Sequence, residues 1–170
     1  SGLCSNTTFP PVYVPAGPHA VIWDRNGVPT NLPTLPGAVG DNVANSINNR
    51  GDVVGTQALS DGTIHSFLWN NGTGIVDLMM PGMFVTIAPC CHSINERRQI
   101  VGFAYDENGP HTFIWQNGSF TDLNTVLAAD SPWYIVNAAS INSAGQIAAT
   151  GVNISTGETH ALLLSPLAPN

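Results

Sequence analysis

The feature that most constrains the fold is a phrase repeated along the chain at nearly constant spacing. His19-Ala20-Val21-Ile22-Trp23 is followed by Asn26-Gly27 and Asn31-Leu32. The second copy reads His65-Ser66-Phe67-Leu68-Trp69, Asn71-Gly72 and Asp77-Leu78; the third reads His111-Thr112-Phe113-Ile114-Trp115, Asn117-Gly118 and Asp122-Leu123. A fourth opens with His160-Ala161-Leu162-Leu163-Leu164. Between copies runs a second phrase, Ser46-Ile47-Asn48, Ser93-Ile94-Asn95 and Ser140-Ile141-Asn142. The histidines are 46, 46 and 49 residues apart and the Ser-Ile-Asn phrases 47 and 47. Periods of this size belong to stacked or radially arranged supersecondary units.

Each phrase reads as a β-hairpin. Ala20–Trp23, Ser66–Trp69 and Thr112–Trp115 are short apolar runs with β-branched and aromatic residues, and each meets an Asn-Gly at or shortly after its end. Asn-Gly favours the primed turns that match strand twist. The second phrase predicts Val43–Ile47 turning through Asn48–Gly51 into Val53–Thr56, Cys91–Ile94 through Asn95–Arg98 into Ile100–Tyr105, and Ala138–Ile141 through Asn142–Gly145 into Ile147–Thr150. Ser60–Thr63, Asp106–Pro110 and Ser155–Glu158 join second strand to third. No helical period persists, and only 122–129 reads as a single helical turn.

The expectation is an all-β, β-propeller-like chain of four-stranded antiparallel blades of about 46 residues, roughly three and a half in number. A β-trefoil or β-prism is the alternative. The 170 residues form a single repeat domain, with a Pro-rich arm over 1–18 and repeats of about 19–42, 43–88, 89–134 and 135–166. Two blades are complete, about Val43–Met80 and Pro89–Leu123; the first lacks its opening strands and the last its closing one.

Composition narrows function. Charged residues are 9 %, lysine is absent, and Arg25, Arg50, Arg97 and Arg98 are the only Lys or Arg. A net charge of -7 opposes nucleic-acid binding, since no basic stripe could neutralise phosphates. Arg97-Arg98 reads as a solvated turn. No apolar run is long enough for membrane insertion. Seventeen asparagines, no lysine and a start at Ser1 without Met suggest a processed, secreted product found outside the cell or on its surface. Cys4, Cys90 and Cys91 are disulfide candidates, with one cysteine left over. Asn6, Asn71, Asn117 and Asn153 head N-x-S/T tripeptides and are glycosylation candidates, expected to be exposed.

These phrases resemble the bacterial extracellular HAF repeat family. The resemblance rests on His65-Ser66-Phe67-Leu68-Trp69, Asp77-Leu78, Ser140-Ile141-Asn142 and Gly145-Gln146-Ile147, and covers about Pro18 to Leu164. It implies a secreted or surface-associated, propeller-like protein and carries no general catalytic motif. The chain departs from the pattern at Pro89-Cys90-Cys91-His92 and at Ala148-Ala149.

A residue repeated in every unit performs a repeated task, so His19, His65, His111 and His160 read as structural groups bonded to neighbouring backbone. Trp23, Trp69 and Trp115 read as packing between units. Asp77, Asp122 and Asn31 read as strand-edge polar residues, and Asn48, Asn95 and Asn142 as turn initiators. His92 beside Cys90 and Cys91 is the single unrepeated cluster that could serve a lyase or hydrolase. No catalytic residue, metal or other cofactor is assigned. The expected function is non-enzymatic: a structural or interaction protein that self-assembles, as an oligomer or filament, through Val12, Tyr13 and Val14 at one end and Ala161, Leu162, Leu163 and Leu164 at the other. Its partners are then copies of itself. The alternative is a lectin-like module for glycans or a cell surface, stacking ligand on Trp133 and Tyr134.

Overall fold

The structure is a computed structural model, and it describes residues 19–78, 93–106 and 109–167. The chain is all-β. Its strands are β1 (Val21–Trp23), β2 (Pro29–Asn31), β3 (Ala38–Ile47), β4 (Val53–Leu59), β5 (Ile64–Asn70), β6 (Gly74–Asp77), β7 (Ser93–Ile94), β8 (Ile100–Asp106), β9 (Gly109–Gln116), β10 (Ser119–Asp122), β11 (Trp133–Ile141), β12 (Ile147–Asn153) and β13 (Thr159–Leu164). One 3₁₀ turn spans Leu123–Thr125, within the stretch read as helical. Several strands reach further than expected: β3 begins at Ala38, β11 takes in Trp133, β9 takes in Gly109 and Pro110, and β4 and β12 run on to Leu59 and Asn153.

The strands form four antiparallel sheets in chain order, β1-β2, β3-β4-β5-β6, β7-β8-β9-β10 and β11-β12-β13. Each is an up-and-down meander, and among the described residues none closes into the barrel that a trefoil requires.

The alternation of side chains along each strand sends one set of residues to the preceding sheet and one to the following sheet. Val53, Phe67 and Trp69 pack back on Ala20, Leu32 and Leu35 of the first unit. Val54, Leu68 and Leu78 pack forward on Ile94 and Ile100 of the third sheet. Val101, Leu123 and partly buried Ile114 pack forward on Ile135, Ile141 and Ile147 of the fourth. The leucine that follows each fourth strand, Leu32, Leu78 and Leu123, is therefore a recurring plug between sheets.

The Ser-Ile-Asn turns are joined by a ladder of asparagine side chains. Asn48 Oδ1 accepts from the backbone N–H of Arg50 and Asp52, closing its own turn. Its Nδ2 donates to Asp52 Oδ2 and, 47 residues on, to the carbonyl of Asn95, at 2.9 Å each. Asn95 repeats the arrangement with Arg97, Gln99 and the carbonyl of Asn142. Asn142 closes its turn on Ala144 and Gln146. Asn48 and Asn95 are buried, whereas Asn142 is exposed.

Ala148-Ala149, a departure from the repeat, has a packing reason in its second residue. Gly55 lies opposite Phe67 and Gly102 opposite Phe113, whereas Ala149 lies opposite Leu162. A Cβ on Gly55 would come within 2.6 Å of the Phe67 ring and would collide with the Val43 carbonyl. Glycine at 55 thus answers both the ring and the carbonyl, and on the fourth sheet the Leu162 tip crowds Gly151 instead, where an added Cβ would come within 2.5 Å of it.

The ladder makes a ranked prediction. Asn95→Ala removes two turn-closing bonds and the bond to the next repeat from a buried site, and costs about 3 kcal/mol. Asn142→Ala, at an exposed turn, costs about 1 kcal/mol. Urea unfolding of both variants measures the order, and equal losses would contradict the ladder.

Candidate functional site

In the two four-stranded sheets the repeated histidine bonds a repeated aspartate. His65 at the start of β5 has Nδ1 2.8 Å from Asp77 Oδ2 on β6, and His111 on β9 has Nδ1 2.9 Å from Asp122 Oδ2 on β10. Asp122 uses its other oxygen to accept from the Asn124 N–H and so caps the 3₁₀ turn. The expected backbone partner of the histidines is thus a carboxylate, and the aspartates are cross-links between third and fourth strands. The spacing of 12 and 11 residues was present in the repeat; its meaning needed the strand register that sets Asp77 beside Phe67 and Asp122 beside Phe113. In the first copy Asn31 stands at the acidic position, and both His19 and Asn31 are exposed. In the fourth sheet, among the described residues, no strand lies outside β13. His160 is half-exposed there, with the Trp133 ring edge-on at 5.2 Å between centroids and Glu158 3.8 Å from its Nε2.

A second cross-link joins the second and third sheets. Arg98 donates to Asp52 Oδ1 through Nε at 3.1 Å and Nη2 at 2.8 Å, and Asn70 Nδ2 donates to the same oxygen. Asp52 is buried. Its burial raises the carboxyl pKa, but bonds from Arg98 and Asn48, the Arg98 charge and a bond from Asn70 outweigh it, so the pKa lies below the ordinary value. Arg98 occupies the turn position held by Gly51 and Gly145 in the other repeats, at φ 58, in the left-handed region. The expected solvated Arg97-Arg98 turn is therefore half corrected: Arg97 is exposed, and Arg98 is committed to Asp52.

The remaining site candidates are scattered. Trp133 and Tyr134 open β11; Trp133 is partly buried against His160, and Tyr134 is exposed. Ala161, Leu162, Leu163 and Leu164 lie on β13, with Ala161 and Leu163 exposed. Asn71 and Asn117 are exposed in turns, whereas Asn153 is half-buried and its side-chain oxygen accepts from the Ser155 and Thr156 N–H groups. Cys4, Cys90, Cys91, His92, Val12, Tyr13, Val14 and Asn6 lie outside the described residues. Among the described residues no three His, Cys, Asp or Glu side chains converge as a metal-holding group, and no helix is long and apolar enough to cross a membrane.

One feature beside β13 was invisible to sequence reasoning. A cavity of about 630 Å³ opens between the third and fourth sheets, lined by Ile114, Leu123, Leu127, Ile147, Leu164 and Pro166 among others. It is predominantly apolar. No protein-family model matches the chain, and no curated protein matches it.

The Asp52–Arg98 pair sets an acid-side prediction. A lowered carboxyl pKa contributes stability that is complete above the unfolded-state value and is lost as pH falls through the folded-state value, here below roughly pH 4. Asp52→Asn flattens that loss. Arg98→Ala costs about 2 kcal/mol at neutral pH, because it strands a buried carboxylate while the guanidinium itself is partly solvated. Arg98→Gly costs less than Arg98→Ala, because glycine relieves the left-handed backbone. Thermal melts from pH 3 to 7 on the three variants read out these differences.

Proposed function

We propose that the chain is a secreted, non-enzymatic, propeller-like repeat protein that works by self-assembly. The observation carrying this reading is a difference in exposure between equivalent residues. Ile94 and Ile141 are 5 % and 6 % exposed, whereas the equivalent Ile47 is 59 % exposed. Leu68 is 8 % exposed, whereas the equivalent Leu163 is 66 % exposed. Trp69 is 9 % exposed, whereas Trp23 is 64 % exposed. Trp23 on the first unit and Leu163 on the last thus leave surfaces open at the two ends of the described series, one facing backward and one forward, and Ile47 is bare where the first unit has only two described strands. They are complementary, since each is the kind of surface that the other type covers inside the chain. A contact of that sort is head-to-tail, and generates a ring where the rotation closes and a filament where it does not. Strand exchange of Val12–Val14 with β13 would reinforce it.

The resemblance to secreted HAF repeats agrees with this reading. The two full His-Asp pairs do not favour an enzyme, because a pair repeated in successive sheets serves the sheets. The lectin-like alternative rests on Trp133 and Tyr134, and the engagement of Trp133 with His160 leaves Tyr134 as its main exposed platform.

Light scattering after size exclusion, without reductant, tests the reading. The expected mass is a multiple of 17.8 kDa. Leu163→Glu, Ile47→Glu and deletion of residues 1–15 each return the chain towards the monomer. A monomer at every concentration overturns the proposal.

A further inference from the structure

Among the described residues, β13 forms the outer edge of the fourth sheet. In the first three sheets the strand beside the repeated His strand reads Pro29-Thr30-Asn31-Leu32, Ile75-Val76-Asp77-Leu78 and Phe120-Thr121-Asp122-Leu123. The pairing is the same each time. Pro29, Ile75 and Phe120 lie opposite Trp23, Trp69 and Trp115; Asn31, Asp77 and Asp122 lie opposite Val21, Phe67 and Phe113. The Leu32 and Leu78 N–H groups donate to the carbonyls of Ala20 and Ser66. The carboxylates reach the histidines.

β13 carries the histidine and the backbone edge of that arrangement, with Leu162 where the other sheets have Val21, Phe67 and Phe113 and Leu164 where they have Trp23, Trp69 and Trp115, and among the described residues it has no such strand. By the same register an incoming acid would lie opposite Leu162 and reach His160, whose side chain is 52 % exposed. An incoming apolar residue would lie opposite Leu164, at the rim of the 630 Å³ cavity. An incoming leucine would lie beside Ala161 and cover exposed Leu163, as Leu78 joins Val54 and Leu68 in one cluster. Phe120 is such an apolar residue in its own sheet, where its ring packs on Phe113 at 5.2 Å and Trp115 at 6.5 Å between centroids; the corresponding partners on β13 are Leu162 and Leu164.

We propose that β13 is a strand-addition site that takes up an extended segment of pattern apolar-x-Asp-Leu. Backbone pairing supplies sequence-independent affinity, and three side-chain readings supply selectivity: the cavity for the apolar residue, His160 for the acid and Leu163 for the leucine. Val12-Tyr13-Val14 lacks the Asp-Leu, so this goes beyond self-assembly through the N-terminal arm and stands without it.

The probe is a fluorescein-labelled peptide with the sequence of residues 117–123, Asn-Gly-Ser-Phe-Thr-Asp-Leu, titrated into the 170-residue chain and followed by anisotropy. Saturable binding is expected. Phe→Ala in the peptide weakens it about tenfold. Asp→Ala in the peptide weakens it about fivefold on the native chain and not at all on His160→Ala, a half-exposed edge position whose replacement leaves the sheet intact. The titration is repeated on the chain lacking residues 1–15, in which Val12–Val14 cannot occupy β13. Absence of saturable binding to that shortened chain, equal binding of the Asp and Ala peptides, or an Asp preference retained by His160→Ala overturns the proposal. Light scattering on the same samples separates the two readings: a native chain that stays monomeric yet binds the peptide loses only the self-assembly reading, and a native chain that assembles while its monomeric shortened form ignores the peptide loses only this one.

Discussion

The asparagine ladder is the interaction on which the other features rest. A turn joining two strands leaves its N–H groups unpaired unless a side chain accepts them. Asn48, Asn95 and Asn142 do this with Oδ1, which leaves Nδ2 free to point onward. In two of the three turns that amide donates to the carbonyl of the next asparagine. The same residue thus ends one hairpin and sets where the next sheet lies, so local turn chemistry and the spacing between sheets are coupled. The bond has a direction, from the earlier repeat to the later, and the faces it brings together are correspondingly unlike.

Around the ladder, each repeat makes matched choices. Phenylalanine on the third strand of the second sheet goes with glycine on its second strand, because a Cβ at Gly55 would meet both the Phe67 ring and the Val43 carbonyl. Histidine opening the third strand goes with aspartate closing the fourth. Asp52 takes the place that Gln99 and Gln146 hold in the other turns, and the next repeat answers with Arg98. The Asp52 departure from the repeat is thus answered by a partner in the next unit. The exceptions cluster where neighbours run out: Trp23, Ile47, Leu163 and His160 are repeat residues without the surroundings that their counterparts have.

Much of this was legible before the coordinates. Asn-Gly and Asn-x-x-Gly turns separate apolar runs at regular intervals, and from them follow an all-β chain, its hairpins and the partial first and last units. What was not legible is which side chains meet. His65 and Asp77 are 12 residues apart, a distance that means nothing until the hairpin register puts them together. Arg98 and Asp52 are 46 apart, and only the stacking of sheets joins them. Trp133 stands outside the repeated phrase, and only the early start to β11 shows that it meets His160.

The sequence by itself determined the period, the strand content and the order of hairpins, because turn propensity and two-residue alternation are local properties of the chain. Tertiary structure decided which equivalent residues are buried and which are bare, and that asymmetry underlies both functional proposals. The reason is physical: burial belongs to pairs of sheets, and identical phrases at the middle and the margin of a series differ only in whether a neighbouring sheet is there to cover them.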